Sequence, residues 1–322
     1  MTFEELVALG GAWAWATYAK EVIAAIGKKL AVHSGDKAKE VIGAGWDRVE
    51  WKLAAKKYRA QIRNRHGTIR ILGRPSPVLL EGIFTDVVML DRPTALSRFD
   101  ITKLRSDPKR LEASAKRTDG LKLVKDHIRG NRLFILGGPG AGKTTFLKHL
   151  AIQATNGVLD NIPIFVSLKE WGDSEQALMP FLCKQFKICG FPDAQPFIEH
   201  ILEKGDAIVM FDGLDEVTQE GQRRDTLISE VRDFSDQYSK TQCLITCRRA
   251  ATQYIFEKYT YYELADFTDK QIFTFVKKWF AEERKKLKLF KRNSTGQRTR
   301  DCANLARCLS FYLCCVFHSK RP

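Results

Sequence analysis

The chain lacks any run of 18 or more apolar residues, which excludes a conventional membrane-spanning helix. Its opening, MTFEEL, is acidic where a secretory leader is cationic, so no export is expected and a cytoplasmic setting is. No two cysteines stand in CxxC spacing. The eight present are therefore read as reduced thiols rather than as a disulfide framework. No repeat of solenoid period is visible, and no proline occurs between residues 197 and 321.

What is present is ordinary globular material: 322 residues, 44% hydrophobic and 28% charged, enough for about two domains with a buried core. The net charge of +15 is unevenly spread. Residues 1–110 carry +8, residues 111–282 carry −2 and residues 283–322 carry +9. Basic ends attract phosphate backbones or anionic lipid, and they equally form solvated helix faces.

The pattern from residue 1 to 65 is helical. Val22, Ile23, Ile26 and Leu30 fall on one stripe, and Trp46, Val49, Leu53 and Tyr58 on another. The apolar stretch Val7–Ala19 is too short to span a bilayer; it reads as a buried or partner-facing helix, with membrane contact as the alternative. GTIRILG and VVMLD, between residues 67 and 91, read as short strands, and the polar segment 106–120 marks a boundary. Four units follow: a helical module (1–65), an extended connector (66–115), an α/β domain (116–282) and a basic helical tail (283–322).

Beyond residue 130 short apolar runs alternate with helical patterns. LFILG (133–137), IPIFVSL (162–168), AIVMFD (207–212) and CLITC (243–247) are strand-like. This alternation predicts an α/β fold with a parallel sheet and helices on both faces. Gly190 stands where a glycine ends a helix, and Thr268 with Gln271 has capping-box spacing ahead of an apolar stripe from Ile272 to Phe280.

The chemistry starts at Gly137-Gly138-Pro139-Gly140-Ala141-Gly142-Lys143-Thr144, which fits G-x-x-x-x-G-K-[ST] between a strand and a helix. Glycines let backbone N–H groups close around phosphate oxygens, and the helix N-terminus adds free donors. Lys143 would reach the β and γ phosphates, and the Thr144 hydroxyl would ligate Mg²⁺. AIVMFD then ends in Asp212, a carboxylate at the end of an apolar strand, where such proteins hold the same metal. Asp215 and Glu216 follow as candidates to orient or deprotonate water, Glu216 ahead of Asp215. Arg248, at the end of CLITC, could stabilise transferred charge, although Thr-Cys-Arg-Arg taken by itself reads first as a salt-bridged strand end.

Together Gly137–Thr145, the hhhhDGLDE pattern at 208–216 and Thr246-Cys247-Arg248 resemble the NACHT NTPases, a branch of the STAND class, over roughly residues 66–282. The resemblance is to prokaryotic NACHT proteins, and Gly213 with the pair Asp215-Glu216 is the distinguishing detail. It implies a P-loop fold with a five-stranded parallel sheet, ATP/ADP and Mg²⁺ as cofactors, slow hydrolysis and self-association on ATP binding. It also implies a role in signal transduction and anti-phage defence, with an effector or adaptor in residues 1–65 and an activating ligand that the sequence does not name.

The chain departs from that family at its end. RDCANLARCLSFYLCCVFHSKRP (300–322) only faintly resembles the family's next helical segment, so the adenine-side contact, winged helix and sensor are not expected. Cys302, Cys308, Cys314, Cys315 and His318 do not match zinc-ligand spacings. Two other functions stay open: a nucleic-acid-dependent ATPase suggested by the basic ends, which no RNA-binding or zinc-finger motif favours, and a truncated remnant that modulates a full-length relative.

Overall fold

The computed structural model describes residues 48–70, 76–91, 115–126, 131–188, 194–217, 223–249 and 256–279, with side chains from residue 57 onward. The stripes at 22–30 and at 46–53, the Val7–Ala19 stretch, the Gly190 cap and the cysteine-containing tail lie outside these side chains.

The centre is β5 (Arg132–Gly137), buried along its length because LFIL is apolar on both faces. It is numbered after β1 (Thr68–Ile69), β2 (Val78–Leu79), β3 (Val88–Leu90) and β4 (Arg117–Asp119). β6 (Ile162–Ser167), β7 (Ala207–Asp212), β8 (Gln242–Arg248) and β9 (Thr260–Leu264) complete the set. The main sheet runs β4-β3-β9-β5-β8-β7-β6. Its five strands from β9 to β6 are parallel, as expected from the alternation.

The sheet nevertheless has seven strands rather than five, because β3 pairs antiparallel with β9 and β4 with β3. VVMLD is thus a strand, but of the main sheet: Met89 lies opposite Leu264. β1 and β2 form a separate antiparallel pair.

Helices cover both faces, beginning with α1 (Arg48–His66), α2 (Leu80–Ile83), α3 (Gly120–Asp126) and α4 (Lys143–Thr155). α5 (Leu168–Asp173), α6 (Leu178–Ile188), α7 (Ala194–Lys204), α8 (Arg223–Gln237) and α9 (Asp269–Trp279) follow. The capping box holds at α9: the Thr268 N–H donates to Gln271 Oε1 at 2.9 Å and the Gln271 N–H to Thr268 Oγ1 at 3.3 Å. Ile272, Val276 and Trp279 bury the stripe that follows. Among the described residues no helix is long and apolar enough to cross a membrane.

α1 docks on the far end of α4. Arg59 Nη2 donates to the Thr155 carbonyl at 2.7 Å and Arg63 Nη2 to Asn156 Oδ1 at 2.8 Å. Cations at a helix C-terminus complement both its free carbonyls and its dipole. Tyr58 stacks on Phe186 at 4.8 Å and its hydroxyl donates to the Pro163 carbonyl, which joins α1 to the β6 edge.

Candidate nucleotide-binding site

The site forms at the carboxyl ends of the parallel strands, where β5 opens into a glycine-rich turn and α4 begins. Gly142 caps α4 with φ +88°, a left-handed conformation that a side chain would strain, and Gly140 has φ +72°. The turn closes through Ala141 N–H to the Gly138 carbonyl at 3.2 Å. Pro139 and Thr144 are exposed, and Gly137 is buried at the strand end. Thr145 follows in the first turn of α4.

Lys143 folds back over this turn. Its Nζ donates to the Gly137 and Gly138 carbonyls, each at 3.1 Å. Burial pulls its ammonium below the usual range; Asp215 opposes the shift and Arg248 adds to it.

β8 lies between β5 and β7, so Thr246 stands between the phosphate loop and Asp212. The Thr246 hydroxyl donates to Asp212 Oδ1 at 2.7 Å and accepts from the Gly213 N–H at 2.9 Å. Thr144 Oγ1 donates to the same Asp212 oxygen at 3.1 Å. Burial raises the Asp212 carboxyl above its ordinary range, against the two threonine hydrogen bonds.

These residues fit Mg²⁺. Adjacent ligands of an octahedral ion with bonds of about 2.0–2.1 Å lie about 2.9 Å apart, close to the Thr144–Asp212 separation. The left-handed glycines leave a cradle without side chains for phosphate oxygens. Among the described residues no cluster of three His, Cys, Asp or Glu side chains competes as a metal site.

Past Asp212 the chain turns at Gly213, φ +79°, where an added Cβ would lie 3.2 Å from Glu216 Cδ. The Glu216 N–H returns to the Gly213 carbonyl at 2.9 Å, forming a single turn over Leu214–Glu216. The turn separates the two acids. Asp215, 7% exposed, receives the Arg248 backbone N–H at 2.9 Å and the Arg248 Nε at 2.7 Å, whereas Glu216 is exposed.

Strand topology therefore brings Lys143, Thr144, Asp212, Asp215 and Arg248 together, with Glu216 one residue beyond. The sequence model of the NACHT domain matches residues 131–283. Over these residues, just under half of its length, the chain is similar to the NACHT family.

Solved structures are similar to the chain over about half of its length. DnaA from Aquifex aeolicus, solved with AMPPCP, is 16% identical with a TM-score of 0.34, over 50% of this chain and 49% of its own. PCH-2 from C. elegans is 17% identical at 0.33, over 51% and 45%. A STAND protein with a tetratricopeptide repeat sensor from Pyrococcus horikoshii is 16% identical at 0.29, over 54% and 27%. The matched region thus spans about half of DnaA and about a quarter of the STAND protein. No curated protein matches the chain.

Two partnerships at the site escaped sequence reasoning. Thr246 was visible only as part of a motif, not as the hydroxyl that joins Asp212 to Gly213. Arg249 forms an ion pair with Glu263, Nε to Oε1 at 2.8 Å. The signal for the second was a lone carboxylate inside the aromatic strand TYYEL.

Proposed function

We propose that the protein binds ATP and ADP with Mg²⁺ and hydrolyses ATP slowly, using nucleotide state as a signalling switch. The observation that carries this reading is the single Asp212 oxygen shared by Thr144, from the phosphate loop, and Thr246, from the neighbouring strand. In it, backbone N–H groups of Gly138 and of residues 140–144 and the Lys143 ammonium take the phosphates, and Thr144 with Asp212 holds the metal. When bound, Mg²⁺ neutralises phosphate charge.

Asp215 is occupied with Arg248, so its part in this reading is to aim that guanidinium. Glu216, exposed one residue beyond, orients and deprotonates water in this reading. Arg248, partly exposed at 33%, meets charge developing on the terminal phosphate. Self-association on ATP binding and a setting in prokaryotic anti-phage defence rest on the resemblance to NACHT proteins.

The test is calorimetric titration with ADP and with Mg-ATP, beside a Lys143→Ala control and particle size by light scattering. Expected is micromolar or tighter binding, about −8 kcal/mol or better, lost in the control. Unchanged affinity and size in the control would overturn the reading.

A further inference from the structure

Two consecutive arginines leave the end of β8 in opposite directions. In the parallel register Gly137 of β5 lies beside Arg248, and Leu136 lies beside Glu263 of β9 on the other flank. Arg248 turns toward Asp215, which follows β7. Arg249 crosses over the end of β5 to Glu263. The phosphate loop thus emerges between two guanidiniums, each tied to a carboxylate.

The Glu263 tie is specific in its geometry. Arg249 Nε lies 2.8 Å from Glu263 Oε1 as an ion pair, and Glu263 is 2% exposed. Nη2 lies 3.5 Å from the point a Cβ on Gly138 would occupy, and 3.9 Å from the exposed Asp266. A carboxylate buried in a strand of tyrosines is expensive unless paired, and here its pairing fixes the direction of an arginine that is itself 36% exposed. Arg249 Nη2, the terminal nitrogen beside Gly138, is then placed to meet a phosphate held by the loop.

The side on which this nitrogen lies distinguishes which phosphate it serves. Thr144 and Asp212, the metal pair, sit toward β7, together with Arg248 and Asp215. Arg249 sits toward β9, on the flank opposite that pair. We infer that Arg249 is a second phosphate-binding cation, held in place by the positioning residue Glu263, and that it grips the diphosphate common to ADP and ATP. This rests on the nucleotide-binding reading above and adds to it a contact that does not distinguish the two nucleotides.

The experiment measures ADP and Mg-ATP affinity by calorimetry on the full chain, for wild type, R249K, R249Q and E263Q. Thermal unfolding without nucleotide accompanies each titration. Lysine keeps the charge and can pair with Glu263, but its compact ammonium lacks the planar fork that lets a guanidinium hold a carboxylate with one nitrogen and reach a phosphate with another. R249K is therefore expected to keep the nucleotide-free midpoint while losing about tenfold or more in affinity, the size of one charge-assisted hydrogen bond. The factor should be the same for ADP and ATP. E263Q should lose a smaller, equally shared factor, because its arginine is present but no longer aimed.

Loss confined to ATP would place Arg249 at the terminal phosphate and overturn the assignment. Unchanged affinities in R249K and R249Q would reduce Arg249–Glu263 to a structural ion pair, leaving the nucleotide-binding reading intact. A wild-type chain that binds neither nucleotide would remove both. Should R249Q not fold, R249K decides.

Discussion

Replacing Thr246 by valine tests the centre of the site without disturbing its shape. Thr246 is fully buried, and its hydroxyl holds both Asp212, at 2.7 Å, and the Gly213 N–H, at 2.9 Å. Valine fills the same volume, so no cavity contributes. A hydrogen bond to a charged acceptor contributes about 1.5–3 kcal/mol, and orphaning a buried N–H costs about 1–3 kcal/mol. Since one hydroxyl makes both contacts, we expect a loss of about 3 kcal/mol, or about 6–12 °C in midpoint for a domain of this size.

The deficit should depend on pH. The folded Asp212 pKa is raised above its ordinary 3.8, so the stability this group adds is present below 3.8 and lost as pH rises through the raised value. The ionised form is the one that Thr246 supports. Valine therefore hurts more above the raised value than below 3.8, and Thr246→Ser restores most of the loss. Urea melts on the two sides of that window measure this directly. A deficit under about 0.5 kcal/mol, the same at both, would refute the reasoning.

Two further outcomes follow from burial. Trp171 is fully buried with its Nε1–H on the Gln176 carbonyl at 2.9 Å, so Trp171→Ala should lower stability by about 3–5 kcal/mol in urea melts. Burial drives His149, stacked on Phe84 at 3.6 Å, down to about 4, and drives His66 down to about 3. Both stay neutral when folded while the unfolded chain takes up protons below about 6.5, so stability present above 6.5 falls on acidification. The slope is about 1.4 kcal/mol per pH unit for each histidine; His149→Gln should remove about half of the histidine contribution between pH 6 and 4.5, and an unchanged slope would refute the assignment.

The readable parts of the chain were those whose physics is local. AIVMFD declares a buried strand with a carboxylate at its end, and β7 spans those six residues. Thr268 and Gln271 declare a helix start because the bonds that make it lie three residues apart. The glycine-rich turn is legible for the same reason. Pairings between distant segments were not. Nothing in VVMLD says that Met89 will lie opposite Leu264, 175 residues later. Nor does the doublet Arg248-Arg249 say which carboxylate each will take, since Asp215 and Glu263 come to opposite flanks of β5 only through the strand order. The sharing of labour between Asp215 and Glu216 depends on that same order.

The docking of α1 on α4 has a mechanical consequence. α4 starts at Lys143, in the phosphate loop, and ends at Thr155, where Arg59 and Arg63 hold it. A helix of 13 residues is a rod about 20 Å long. Tilting it by about 10° around its first turn carries the far end about 3.5 Å, more than the whole length of the 2.7 Å bond from Arg59. The arginine clasp must then either break or travel with the rod. A strain applied at one end of α4 is thus felt by the segment leading back toward residue 48, and a load on that segment is felt in the phosphate loop.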